Sequence, residues 1–123
     1  MTWEYCLEPL DETKTFPQQL IVDMKAYLKL FPSYVFSDGT FVFFKNVEDK
    51  NLRVPMLLAN PQKNSYLEPT ISIHSKMIVL SCVGNPNVDH YLYEFVLWCK
   101  ERWPCQLYDG SEPVSPEELI AEP

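Results

Sequence analysis

The chain has 123 residues, 46% of them hydrophobic and 22% charged, with a formal net charge of −7, which suits one domain with its own core and is too short for two. No run approaches the roughly 18 apolar residues that cross a bilayer, so a membrane-spanning helix is excluded. Ten lysines and arginines stand singly among seventeen acids, so the concentrated basic surface that a phosphate backbone demands is excluded too.

In chain order, Trp3 to Leu7 alternates as a first strand. Pro17 to Phe31 places Leu20, Ile21, Met24, Tyr27, Leu28 and Phe31 on one helical face, with Thr15 as cap and Pro32 as stop. Val22, Ala26 and Leu30 form a thinner apolar line on the outer side, spaced by four. In YVFSDGTFVFFK, Asp38-Gly39 predicts a two-residue hairpin turn. NVEDKN reads as a polar loop and LRVPMLLAN as an edge strand, because Pro55 has no N–H for a ladder. After the turn-rich NPQKNSY, the segment TISIHSKMIVLSCVG is one bent strand or a hairpin turning near Ser75-Lys76.

The next helix carries Val88, Leu92, Phe95, Val96, Cys99 and Trp103 on one arc, with Tyr91 and Trp98 at its edge. Asp89, His90, Glu94, Lys100 and Glu101 take the opposite side, Asn87 is the expected cap and Pro104 the stop. Tyr93 and Leu97 fall in the middle of that polar side, where a core does not explain them. CQLYD is the last expected strand. SPEEL then matches a capping box, with Ser115 as cap and Glu118 reaching back, followed by a short terminal helix.

The four cysteines form no CxxC pair and sit in apolar stretches, where cysteine packs as a small hydrophobe. The N-terminal MTWEYCLEPLDE has no basic start followed by an apolar run, so the expectation is a cytoplasmic protein with four free thiols. The three glycines are isolated in turns, so neither a phosphate loop nor a dinucleotide fingerprint exists. His90 and Glu94 share a helix face but lack further ligands, and His74 lies in a turn. No metal, no cofactor and no catalytic residue is expected.

These elements predict an α+β domain over residues 1–123, with a short acidic C-terminal segment at about 109–123. Its core is a mainly antiparallel sheet of about five strands with two helices packed on one face, a ferredoxin-like or related split βαβ arrangement. The expected function is that of a small acidic protein-binding protein rather than an enzyme, of the inhibitor or immunity type that neutralises a toxin or another enzyme by steric and electrostatic contact. Its partner is a protein with a basic surface, a homodimer being the other assembly considered, with no nucleic acid and no membrane. The expected contact residues are Tyr93, Leu97, His90, Glu94 and Glu101 on the helix, with Asp109 and Glu112 in the acidic segment. The alternative is a small-molecule-binding regulatory module of ferredoxin-like type.

Overall fold

The structure is a computed structural model that describes residues 3–60 and 68–121. Among the described residues it is an α+β domain with one seven-stranded antiparallel sheet, three α-helices and a short 3-10 helix. The elements run β1 (Trp3–Pro9), α1 (Gln18–Leu28), β2 (Ser33–Val35), β3 (Phe41–Phe43), α2 (Val47–Ala59), β4 (Thr70–Ile73), β5 (Ile78–Cys82), α3 (Pro86–Arg102), β6 (Cys105–Asp109) and β7 (Glu112–Val114), then the 3-10 helix Pro116–Ile120. The strand order is β2-β3-β4-β5-β1-β6-β7. β1 lies between β5 and β6, with Leu7 opposite Ile78 on one side and Leu107 on the other.

Alternation along β1 turns Tyr5 and Leu7 to the helix-covered face and leaves Glu4 and Glu8 exposed on the other. On the first face α1 contributes Leu20, Ile21, Met24 and Leu28, and α3 contributes Leu92, Phe95, Val96 and Cys99, to one core with Ile78, Leu80 and Leu107. The expected sheet of about five strands with two helices is thus a sheet of seven with three among the described residues, and two helices on one face describes α1 and α3 alone. The third helix, α2, covers the opposite face near the sheet's end, where Leu57 and Val54 pack on Val42 and Phe44. Phe41 and Phe43 belong to the main core while Val42 and Phe44 belong to this smaller one. A strand covered on both faces reads as an unbroken apolar run, which is the pattern of Phe41 to Phe44.

Several sequence expectations are corrected. NVEDKN is not a loop and LRVPMLLAN is not a strand; both belong to α2. The Asn46 side chain accepts the Asp49 N–H at 2.8 Å, and Glu48 and Asp49 stand in the first turn, where acids complement the helix dipole. Pro55 sits inside this helix on its exposed side, so it forgoes one intrahelical bond without disturbing the packed stripe. Glu68, buried ahead of β4, pairs with Arg53 of α2 and fixes that helix to the sheet.

The β2–β3 hairpin exists, but its loop has three residues rather than two. Phe36 and Thr40 close it, the Gly39 N–H donates to the Phe36 carbonyl at 2.9 Å, and only Gly39 takes a positive φ, +89°. This is the type I turn with a glycine bulge that three-residue hairpin loops favour. The TISIHSKMIVLSCVG segment is the hairpin β4–β5, with the His74 N–H donating to the Met77 carbonyl across its turn.

Thr15 does not cap α1; the cap position is Pro17, with no side-chain bond to the free amides. Asn85 rather than Asn87 caps α3, accepting the Asn87 N–H at 3.0 Å, with Pro86 in the first turn. CQLYD is not the last strand, because Gly110, at φ +63°, turns the chain into β7. Ser115 occupies the cap position of the terminal helix without a side-chain bond, so the capping box does not form. That helix is 3-10, and it buries Leu119 in the main core. Of the loop NPQKNSY, residues 61–66 lie outside the described residues.

Candidate functional site

Two concave features stand on different parts of the α1–α3 layer. The first is a groove between the outer sides of α1 and α3, about 390 Å³ in volume, lined by Tyr27, Leu30 and Phe31 from α1 and the turn after it, and by Leu97 and Trp98 from α3, with Glu94 and Glu101 at its border. Its aromatic floor is preorganised. Tyr27 stacks on Trp98 with ring centroids 4.8 Å apart, Phe31 meets Tyr27 edge-on at 5.1 Å, and both rings pack against the core. The Arg102 guanidinium lies 4.1 Å above the Trp98 ring, held by a 2.9 Å bond from Arg102 to the Trp98 carbonyl. Trp98 thus already carries one cation on its ring, from a residue of its own helix. Leu30 is 79% exposed, so the thin apolar line on the outside of α1 reaches this groove at its C-terminal end.

Three of the seven expected contact residues, Glu94, Leu97 and Glu101, meet here. His90 lies one turn away, with its Nδ1 3.7 Å from the Glu94 carboxylate. Tyr93 is half-buried and packs against the core on an α3 that the 3-10 helix also contacts, so its apolar ring serves the fold in part. Asp109 lines the second cavity, and Glu112 is exposed at the start of β7. The acidic segment and the α3 surface therefore form two sites rather than one patch. The helical pattern places Tyr27 and Phe31 on the core face of α1 and Trp98 at the edge of the α3 arc. Only the apolar line ending at Leu30 marked a second surface on α1.

The second feature is a cavity of about 300 Å³ where β1, β5 and β6 meet the start of α3 and the 3-10 helix. Trp3, Tyr5 and Gly84 line it together with the carboxylates of Asp89, Asp109 and Glu118. Asp89 was expected on the exposed side of α3; it is 1% exposed. Its carboxylate accepts N–H groups from Val83 at 3.1 Å, Gly84 at 2.9 Å and Asn85 at 3.0 Å, which ties the β5–α3 turn to the first turn of the helix. Burial pushes the Asp89 carboxyl above its ordinary range, against the pull of those three donors. Gly84 has φ +79° and lies against the Trp3 ring, so closely that a Cβ there would stand 2.8 Å from the indole; any other residue would have to displace the ring and adopt a backbone conformation that side chains disfavour.

The cysteines are all free. Cys82, Cys99 and Cys105 belong to the core, and burial raises each thiol, Cys105 to about 11. Cys6 departs from the core expectation: it is half-buried on the opposite sheet face, beside Val79 and Tyr108. His74 is exposed in its turn. Among the described residues no group of three or more histidine, cysteine or carboxylate side chains is placed to hold a metal ion, and no helix is long and apolar enough to cross a membrane.

Comparison of the chain with protein-family models, with curated proteins and with solved structures finds no match. The functional reading therefore stands on the geometry of these two sites.

Proposed function

We propose that this is an acidic protein-binding protein of the inhibitor type, working in a reducing compartment, which holds a basic partner through the α1–α3 groove. The observation that carries this reading is the convergence of exposed Leu30 and half-buried Leu97 on one aromatic floor bordered by Glu94 and Glu101. Apolar anchors inside a charged rim are the composition of a tight interface, and a net charge of −7 speeds encounter with a partner of opposite sign. Arg102 over Trp98 serves as an internal example of the contact that a partner arginine would make. An inhibitor of this kind works by occupying its target's surface and needs no reacting group of its own.

The strand order β4-β5-β1-β6, with α1 following β1 and α3 following β5, fits a split βαβ arrangement. In this reading β2, β3 and α2 are an insertion between α1 and β4, and β7 with the 3-10 helix extends the C-terminal edge.

Site-specific photocrosslinking from position 97, in cells that naturally produce the protein, tests the proposal. The expected result is a discrete adduct with a basic protein whose own activity falls on titration with this chain. Adducts only between copies of this chain, or none that differ from those formed from exposed position 52 on α2, would overturn it.

A further inference from the structure

The cavity beside Asp89 has a chemistry of its own. Three carboxylates line it, buried Asp89 and the exposed Asp109 and Glu118, and among the described residues no lysine or arginine does. Asp89 is fully engaged by its three backbone donors, whereas Asp109 and Glu118 make no ion pair among the described residues. Tyr5 is 8% exposed, and among the described residues no hydrogen bond engages its hydroxyl, although the groups that act on its ionisation, Cys82, Glu118, Asp109 and Asp89, all line this cavity. The Tyr5 hydroxyl can donate to a neighbouring carboxylate and still accept from an outside N–H, so a donor that carries positive charge complements the phenol and the carboxylates together.

The size and ligand set narrow that donor. Among the described residues no group of three or more carboxylate, histidine or cysteine side chains is placed to hold a metal ion, and an anion is repelled. A volume of about 300 Å³ is at the small end of ligand sites and holds a short alkyl stem with a charged head. Trp3 and Tyr5 provide aromatic walls of the kind that attract an organic cation.

We propose that this cavity is a receptor for an alkylammonium or guanidinium group, with Asp109 and Glu118 accepting its N–H donors, the Tyr5 hydroxyl accepting one more, and Trp3 flanking the alkyl stem. The site is separate from the α1–α3 groove and does not rest on the reading of that groove.

The test is titration of the isotope-labelled protein with butylguanidinium and butylammonium, with uncharged butylurea as the shape control, followed by the amide resonances of Tyr5, Gly84 and Asp109. Both cations are expected to shift these signals saturably and butylurea to leave them in place. The double variant Asp109→Asn/Glu118→Gln is expected to weaken binding by at least about tenfold, and Tyr5→Phe by several-fold, with circular dichroism spectra unchanged. A blocked Gly-Arg-Gly tripeptide separates the sources: affinity equal to butylguanidinium assigns the site to a basic side chain, and exclusion of the tripeptide assigns it to a free small cation. Equal shifts with butylurea, undiminished binding by the double variant, or no saturable shift with either cation would overturn the proposal.

Discussion

Phe95 has no exposed surface and lies in the main core with Trp98 stacked 6.4 Å away. Phe95→Ala is expected to destabilise the domain by about 3–5 kcal/mol, from lost transfer energy and the cavity left behind, read from urea unfolding. Tyr5 makes stability depend on alkaline pH. Burial first, then Cys82 and the neighbouring carboxylates, push its phenol from the ordinary 10.0 to about 12. The folded state therefore holds this proton more tightly than the unfolded chain does, so its contribution is complete below pH 10 and lost as pH rises towards 12. Unfolding free energy measured across that window is expected to fall less steeply for Tyr5→Phe than for the parent. The thiols differ by position: half-buried Cys6 on the open sheet face is expected to react first with a thiol reagent, and the three buried thiols only on the timescale of unfolding. Mass spectrometry of partly labelled protein checks that order.

At the scale of elements, the helical faces of α1 and α3, the first strand and the β2–β3 hairpin were legible because each has a clean period or a strong turn signal, whereas the pattern of β4–β5 fits one bent strand as well as the hairpin it forms. α2 was not, and the reason is one residue. Pro55 argued against a helix interior, yet Asn46 with acids two and three positions on is a start signal, and Val54 and Leu57 then meet Val42 and Phe44 in a second core that no local pattern announces. Pro55→Ala restores an intrahelical bond at an exposed position and is expected to raise stability by about 1–3 kcal/mol with a gain of helical circular dichroism. β7 was missed although Asp109-Gly110 repeats the turn signal of Asp38-Gly39, because Pro113 and Glu112 suppress the strand pattern after it. The misplacement of Asp89 has a similar origin: a charged residue on a helix reads as exposed unless one sees the three N–H groups of Val83, Gly84 and Asn85 that it closes over.

For the molecule as a whole, the two sites divide the chemistry that sequence reasoning had joined. Glu94, Leu97 and Glu101 belong to the groove and Asp109 to the acidic cavity, a partition set by topology, since the groove lies along α1 and α3 while the cavity sits where β1, β5 and β6 meet the start of α3 and the 3-10 helix. Helical periodicity identified Leu97 as surplus to the core, but it carried no information that Leu30, in the turn after α1, would line the same groove. The central claim, that this groove is the partner's contact surface, separates binding from folding. Desolvating such an anchor at the centre of an interface contributes ~2 kcal/mol or more to affinity, whereas an exposed side chain contributes little to the fold. The most direct measurement is the Kd of the crosslinked partner for Leu30→Asp/Leu97→Asp, taken beside the melting temperature of that variant. The account predicts a loss of at least about thirtyfold in affinity with a melting temperature close to the parent's; unchanged affinity, or a melting temperature that collapses together with it, would contradict it.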